Sequence, residues 1–172
     1  MKKIAVFLAD GFEEIEALTP IDVLRRANFI AHGISIKEKV VKGSHGISVI
    51  ADLLLDEIDF SSYDAFVLPG GMPGAVNLSN SKKLIENIRA QKDKLICSIC
   101  ASPAIVLAQN DLYDDGVFAT CYPSEDFTLL LGDRYKKEKV VVSKNFITAD
   151  GIKSAMDFSI AIVEKLGGNA KF

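Results

Sequence analysis

The chain has 172 residues, of which 49% are hydrophobic and 25% are charged, and its formal net charge at pH 7 is −3. This length is enough for one well-buried core and short for two, so we expect a single domain over residues 1–172. The lysines and arginines form no cluster that would follow a phosphate backbone, which argues against nucleic acid as the main partner. No stretch reaches the ~18 to 20 apolar residues of a membrane span, so no membrane association is expected.

The N terminus and the cysteine count bear on where the protein works. The opening segment MKKIAVFLADGFEE has basic residues and a short apolar run like a signal peptide, but the run breaks at Asp10 and Gly11 without a cleavage site. We interpret it as a first buried strand. The three cysteines, an odd number without disulfide-scaffold density, fit a reducing compartment. A cytoplasmic location is therefore expected.

Short apolar runs that alternate with amphipathic stretches predict an α/β fold, with a mostly parallel central sheet and helices on both faces. Residues 4–8, 65–68 and 95–99 are almost entirely apolar, as expected of central strands buried on both sides. Parallel strands end at the same edge of a sheet, and ligands of such folds bind there. The loops after these three strands are therefore expected to form the functional site.

Helical spacing marks the segments between these strands. Ile15 and Leu18 predict a first helix that faces inward at these residues, and Pro20 should kink this helix or begin its second half. Other helices are predicted at Leu84, Ile85 and Ile88, at residues 104–108, and at Ile152, Met156, Ile160 and Val163. Residues 34–52 predict a hairpin with a Gly-Ser-His-Gly turn, and GVFAT, KVVVS and FIT predict short strands later in the chain.

Cys100 lies in the segment LICSICASP, at the turn between the third central strand and the next helix. A sulfur on such a turn projects from the sheet edge, as in a nucleophile elbow, and the helix N-terminus favours its thiolate. A cysteine that ends an apolar strand can equally be a small buried hydrophobe. The position between strand and helix, opposite a Gly-Gly loop, favours the nucleophile.

Gly70 and Gly71 follow the second central strand, in the segment PGGMPG. Backbone without a side chain can approach a ligand closely and direct N–H groups at a developing oxyanion, with the Ala101 N–H as a second donor. A simple glycine turn would give the same sequence. The segment is not a G-x-G-x-x-G fingerprint, and the loop after the first strand has one glycine, so no dinucleotide cofactor is expected.

Three glutamates open the first helix. Glu13 and Glu14 are expected to face water and complement the helix dipole. Glu16 lies on another face, beside the rows of Ile15 and Leu18, and is predicted to point into the cleft. Burial and a neighbouring thiolate would both disfavour its ionisation, so that the carboxyl can donate a hydrogen bond to sulfur and act as a general acid or base.

The remaining cysteines and the histidines predict no metal site. Cys97 and Cys100 form a C-x-x-C pair, but Cys97 belongs inside a strand rather than at a helix start, and is expected to be a buried core thiol. A zinc site would need more ligands at matching spacing, whereas Cys121, His32 and His45 are scattered. Cys121 is expected to pack in the core, with a resolving role toward Cys100 as the alternative.

The chain resembles the ThiJ/PfpI family in six segments, LADGFEEIEALTPIDVLRRA, GSHGI, LPGGMPGAVNL, ICASPA, ATCYP and AMDFSIAIVEKLGG. The resemblance covers nearly the full chain and is greatest to the branch that contains the human Parkinson-associated deglycase and the bacterial YajL-type proteins. It implies a flavodoxin-like α/β sandwich and a homodimer.

The resemblance also implies roles for particular residues. It places the reactive nucleophile at Cys100, a buried hydrogen-bonding glutamate at Glu16, and the oxyanion-hole N–H groups at Gly71 and Ala101. It implies activity on methylglyoxal or glyoxal, either free or as early adducts on protein and nucleotide amines. Oxidation of the cysteine to a sulfinate and holdase chaperoning are implied as well.

The chain departs from the family pattern at several positions. Ala101 stands where the peptidase branch has a histidine, which argues against proteolysis. Tyr122 stands where the human branch has a histidine, so Glu16 would have to carry out the proton transfer. Asp150 stands where the family often has arginine or proline, and His45 stands where the human branch has arginine. An anion pocket beside the cysteine would therefore be weaker.

Two functions follow from these residues. The first is a cytoplasmic carbonyl-stress enzyme in which Cys100 attacks a small reactive carbonyl or its adduct and Glu16 moves the proton, with no cofactor. The second is an oxidative-stress sensor or redox-regulated chaperone in which Cys100 is oxidised without significant turnover. An amidotransferase-like relic without turnover is a third alternative.

Overall fold

The computed structural model describes residues 1–170 and contains a central sheet and a separate hairpin. The strands, in chain order, are β1 Lys3–Leu8, β2 Ile30–Ser35, β3 Val40–Lys42, β4 Ser48–Ile50, β5 Leu53–Leu54, β6 Ala65–Leu68, β7 Leu95–Ile99, β8 Val140–Ser143 and β9 Phe146–Ala149. The sheet has the order β5-β2-β1-β6-β7-β9-β8, while β3 pairs with β4. Within the sheet only the β8 and β9 pair is antiparallel. The predicted mostly parallel sheet and the hairpin are confirmed.

The three predicted central strands, β1, β6 and β7, are neighbours in the sheet. Every residue of β6 and β7 is buried, and alternate side chains point to opposite faces. Cys97 and Ile99 pack on one face, and Ile96 packs on the other. Burial on both faces explains why these segments are almost continuously apolar. Cys97 is fully buried, as predicted.

Helices cover both faces of this sheet. In chain order they are α1 Glu14–Arg26, α2 Gly74–Ser79, α3 Lys82–Ala90, a π-helix Pro103–Ala108, α4 Glu125–Leu131 and α5 Ala155–Lys165, with 3₁₀ turns at Leu55–Glu57, Phe60–Ser62, Gly132–Arg134 and Ile152–Ser154. α1, α5 and the β3–β4 hairpin pack on one face, and the other helices pack on the opposite face. The architecture is the expected flavodoxin-like α/β sandwich. Within residues 1–170, no helix is both long enough and apolar enough to cross a membrane.

The buried face of α1 differs from the predicted one. Ile15 and Leu18 are 48% and 37% exposed, whereas Glu14 and Glu16 are 4% and 0% exposed. Glu13, just before the helix, is also buried. The expectation that Glu13 and Glu14 face water was therefore wrong. Hydropathy spacing selected the wrong face because these carboxylates are held inside by hydrogen bonds, which the spacing of apolar residues does not register.

Two other helix predictions need correction. α1 continues through Pro20 as one helix, so Pro20 does not begin a separate second half. At the C-terminal end, Ile152 lies in a 3₁₀ turn before α5, and both Ile152 and Met156 are about half exposed. Val163 is buried as predicted. The change from a 3₁₀ turn to an α-helix shifts the angular spacing of side chains, so the helical period of α5 does not extend back to Ile152. Met156 lies within α5 itself, and this change does not explain its exposure.

The predicted strand GVFAT is wrong, although KVVVS and FIT do form β8 and β9. Within GVFAT only Ala119 makes an isolated bridge. The Phe118 N–H donates to Ser143 Oγ at 3.0 Å, and the Thr120 N–H donates to Thr148 Oγ1 at 2.8 Å. Because side-chain oxygens satisfy these donors, the segment stays beside the sheet without a strand ladder.

Candidate active site

Cys100 follows β7 directly and occupies a turn in the left-handed backbone region. Its φ is +64°, a conformation that few residues other than glycine adopt. The Cys100 N–H donates to the Ala149 carbonyl at 2.9 Å, and the Cys100 carbonyl accepts the Tyr122 N–H at 2.8 Å. The flanking segments thus fix the turn, and the side chain stays only partly buried. Backbone strain held in place in this way is concentrated at functional sites.

Helix α1 brings Glu16 to the thiol. The Glu16 side chain is fully buried, and its Oε2 accepts the Gly70 N–H at 2.9 Å. Its Oε1 is buried without a well-directed hydrogen bond, and the Cys100 thiol is the side chain that interacts with this carboxyl. Burial, reinforced by the charge of Glu13 and opposed by Cys100 and the Gly70 N–H, raises the pKa of Glu16 to about 7. The carboxyl can therefore exchange a proton near neutral pH.

The surroundings of Cys100 disfavour its thiolate. Burial and the adjacent Glu16 carboxylate raise the pKa of Cys100 well above its usual value, while the N–H groups of Ala101 and Gly71 at the sulfur lower it by less. Burial and the neighbouring carboxylate thus oppose the thiolate that was predicted from the helix N-terminus. Glu16 is the carboxyl that lies beside this thiol. The structure brings Cys100, Glu16, Gly71 and Ala101 together.

Gly70 leaves the space in which the Glu16 and Cys100 side chains meet. A Cβ on Gly70 would lie 2.6 Å from Glu16 Oε2 and 2.7 Å from Cys100 Cβ. The next residue, Gly71, has a φ of +88°, and a Cβ there would collide with the backbone of Glu13. A role for Gly71 through its N–H was predicted from the sequence, but the role of Gly70 in leaving space was missed because it depends on how α1 packs.

Ser102 is a second residue that the sequence did not mark. It is fully buried, and its Oγ donates a hydrogen bond of 2.5 Å to the Pro69 carbonyl. This contact ties the turn after Cys100 to the loop that carries Gly70 and Gly71. The only sequence signal was a polar residue next to a proline at a predicted helix start.

Cys121 is a core thiol. It is fully buried, its Sγ donates to the Tyr122 carbonyl at 3.4 Å, and burial raises its pKa to about 12. Its side chain belongs to the hydrophobic cluster on one face of the sheet, together with Tyr113, whereas Cys100 packs against the cluster on the other face. This arrangement matches the expected packing role.

The tip of the β3–β4 hairpin lies against the start of α1. The His45 N–H donates to Glu14 Oε1 at 2.8 Å, and His45 Nδ1 is 3.0 Å from Glu14 Oε2. Ser44 Oγ and the Ile47 N–H donate to the same carboxylate at 3.4 Å. Burial alone would raise the pKa of Glu14, but hydrogen bonds from the His45 side chain and from the backbone N–H groups of Glu14, His45 and Ile47 outweigh it and lower the pKa to about 2. They explain why this charged side chain is buried.

The fold and this arrangement define a class, namely a flavodoxin-like α/β protein with a cysteine on a strand-to-helix elbow beside a buried glutamate. The sequence profile of the DJ-1/PfpI family matches residues 2–165 of the chain. The chain belongs to this family, which confirms the resemblance recognised in its sequence motifs.

Several proteins that are similar to this chain are called DJ-1. It is 39% identical over 98% of its length to Protein DJ-1 homolog B of Arabidopsis thaliana and spans 39% of that plant protein. It is 31% identical to the glutathione-independent glyoxalase DJR-1.2 of Caenorhabditis elegans, covering 92% of this chain and 85% of the relative. The solved structure of oxidized Toxoplasma gondii DJ-1 has a TM-score of 0.91 at 36% identity, covering 96% of this chain and 91% of that one.

Proposed function

We propose that the protein is a cysteine-dependent carbonyl-stress enzyme that converts methylglyoxal or glyoxal, free or as early adducts on amines, to hydroxyacids at Cys100. The observation that carries this proposal is the contact between the Cys100 thiol and the buried Glu16 carboxyl, whose pKa is about 7. Such a carboxyl can both accept and return a proton at neutral pH. The relative named as a glutathione-independent glyoxalase supports the same chemistry.

The first step is addition of sulfur to the aldehyde carbon of methylglyoxal. Glu16 accepts the thiol proton as the carbon–sulfur bond forms, and the aldehyde oxygen takes the electron pair of its double bond. The N–H groups of Gly71 and Ala101, which lie at the sulfur, stabilise this oxyanion. Return of the proton to the oxygen gives a hemithioacetal on Cys100. From a carbinolamine adduct, sulfur displaces the amine, which leaves with the thiol proton, and the same hemithioacetal results.

The second step moves a hydrogen between carbons. Glu16 removes the proton from the former aldehyde carbon, and the resulting enediol is reprotonated on the neighbouring carbon. The product is a lactate thioester of Cys100, which water hydrolyses to lactate and the free thiol. One carbonyl carbon is oxidised and the other is reduced, so the sum is methylglyoxal plus water to lactate. The internal redox balance means that the reaction requires no cofactor.

Lactate formation from methylglyoxal tests this function directly. We expect turnover by the wild type, loss of turnover in Cys100→Ser, and a strong decrease in Glu16→Gln. Cys121→Ser is the matched control, since it removes a thiol from the other face of the sheet and should keep the activity. Full lactate production by Cys100→Ser would refute the mechanism.

The alternative function is an oxidative-stress sensor or redox-regulated chaperone, in which Cys100 is oxidised to a sulfinate. A protonated Glu16 beside the sulfur is a suitable hydrogen-bond donor to that group. A solved relative described as oxidized agrees with this reading, whereas the raised pKa of Cys100 opposes it because the thiolate is the form that oxidises. Mild peroxide should then add the mass of two oxygens at Cys100 in a chain that makes no lactate.

The same proposal includes a homodimer. α1 exposes Ile15 and Leu18, apolar side chains that a second copy of the chain would cover. Light scattering after size-exclusion chromatography should give twice the chain mass. Replacing Leu18 with lysine should shift the mass toward the monomer, whereas a monomeric wild type would contradict the dimer.

A further inference from the structure

Three side chains meet where the tip of the β3–β4 hairpin covers the start of α1. Glu13, Glu14 and His45 each offer one ligand atom, and these atoms lie within 4.8 Å of one another. His45 Nδ1 is 3.0 Å from Glu14 Oε2 and 3.7 Å from Glu13 Oε1. The two carboxylates and the imidazole come from segments that are far apart in sequence, so no ligand spacing marks this group in the chain.

The two carboxylates are unusual in their burial. The Glu13 and Glu14 side chains are 10% and 5% exposed, and within residues 1–170 neither forms an ion pair with lysine or arginine. Glu13 Oε2 accepts the Glu16 N–H, but Glu13 Oε1 accepts no hydrogen bond and faces His45 Nδ1. A carboxylate oxygen without a hydrogen-bond donor, beside an exposed imidazole, is open to a cation at this point.

We propose that Glu13, Glu14 and His45 bind a divalent transition-metal ion of the zinc type. Zinc takes carboxylate oxygens and imidazole nitrogens at ~2.0–2.2 Å, which places its ligand atoms ~3 to 4 Å apart. Here His45 Nδ1 lies 3.0 and 3.7 Å from the two oxygens, and the oxygens lie within 4.8 Å of each other. An imidazole ligand favours zinc and its transition-metal neighbours over magnesium and calcium, which prefer sets made only of oxygen.

The local structure lets this ion enter with little rearrangement. Glu14 Oε1 holds the His45 and Ile47 N–H groups. The partners of Glu14 Oε2 are two side chains of the hairpin tip, His45 Nδ1 at 3.0 Å and Ser44 Oγ at 3.4 Å, which an ion can displace. The His45 side chain is 71% exposed and can rotate without disturbing the core. The ion takes the place of the hydrogen bond between His45 Nδ1 and Glu14 Oε2, and the exposed side admits water as a further ligand. Neither Cys100 nor Glu16 is a ligand, so binding of the ion does not require the proposed reaction.

Zinc titration of the chelator-treated full chain by calorimetry and equilibrium dialysis tests the proposal. We expect one zinc ion per chain and at least ~10-fold weaker binding in His45→Gln, since loss of a direct ligand should cost at least as much as loss of a group that orients one. His32→Gln is the matched control, because it removes the other histidine, which contacts Tyr63 instead. Cys100→Ser should also bind zinc as the wild type does.

Cobalt absorption spectroscopy adds an independent readout of the ligands. Bound cobalt should show ligand-field bands without a thiolate charge-transfer band, and His45→Gln should lose these bands while its circular dichroism spectrum remains that of the wild type. Several results would overturn the site: no binding by the wild type, unchanged affinity in His45→Gln, or loss of binding in Cys100→Ser or His32→Gln.

Discussion

Glu16 and Cys100 meet over the bare Cα of Gly70, where an added Cβ would lie 2.6 Å from Glu16 Oε2 and 2.7 Å from Cys100 Cβ. The carboxyl comes from α1, the thiol from the end of β7 and the glycine from the loop after β6. Parallel topology brings these three loop regions to one edge of the sheet. The Glu16 and Cys100 side chains touch only because Gly70, which lies between them, has no side chain.

Replacing Gly70 with alanine should therefore separate the proposed base from the nucleophile. We expect kcat/KM for methylglyoxal to fall at least ~100-fold, because displacements of about 1 Å in a reacting geometry cost that much. Overpacking should lower the free energy of unfolding by ~1–3 kcal/mol. Gly33→Ala is the control, since its Cβ would meet the ends of side chains rather than backbone: Leu8 and Ile21 at 3.3 and 3.4 Å, and Asp52 Oδ2 at 3.6 Å. Equal activity losses in both variants would contradict a specific role for Gly70.

The pH profile of the proposed reaction should report the ionisation of Glu16. Glu16 must be ionised to accept the thiol proton, so kcat/KM should rise with pH through about 7, the pKa of the buried carboxyl. In Glu16→Gln the rate should fall ~10²–10⁴-fold and the inflection should disappear. Glu86→Gln, at an exposed position of α3, should keep the wild-type profile. An inflection near neutral pH that persists in Glu16→Gln would assign it to another group.

The same carboxyl should destabilise the fold when it is ionised. Its pKa is about 7 in the folded protein and 4.5 in its ordinary state, so the folded protein holds this proton more tightly than the unfolded chain. The stability that comes from the protonated form is therefore lost as pH rises from 4.5 through 7, and amounts to ~3 kcal/mol. In urea unfolding, Glu16→Gln should be more stable than the wild type at pH 8 by up to that amount. An equal gain at pH 5 would show another cause.

Much of the fold could be predicted from the sequence because the central strands are buried on both faces. Residues 65–68 and 95–99 read as apolar runs for that reason, and parallel topology then placed Cys100 beside the glycine loop. GVFAT was misread as a strand because the N–H groups of Phe118 and Thr120 are satisfied by side chains, which strand propensity cannot show.

The site was less predictable because its chemistry depends on burial. Glu16 was selected correctly as an inward side chain, but Ile15 and Leu18, the neighbours used to select it, are exposed. The burial of Glu14 depends on the docked hairpin, and the raised pKa of Cys100 depends on how much solvent the packed helices exclude. Neither the docking of the hairpin nor the amount of excluded solvent can be derived from the spacing of residues along the chain. The catalytic roles themselves remain predictions.

Ionised Glu14, unlike ionised Glu16, should stabilise the folded protein, because it holds the hairpin. Its pKa is lowered to about 2 by hydrogen bonds from the His45 side chain and from the backbone N–H groups of Glu14, His45 and Ile47, which outweigh burial. Its contribution is therefore present above pH 4.5 and is lost as pH falls toward 2. Glu14→Gln, measured with chelator present, should lower the free energy of unfolding at pH 7 by ~1.5–3 kcal/mol, the usual worth of hydrogen bonds to a charged group. Amide hydrogen exchange should accelerate at His45 and Ile47, while Glu86→Gln, with no partner to lose, should stay within ~0.5 kcal/mol of the wild type. If exchange at these two amides were unchanged in Glu14→Gln, the hairpin would have to be held by its apolar contacts with α1 rather than by this carboxylate.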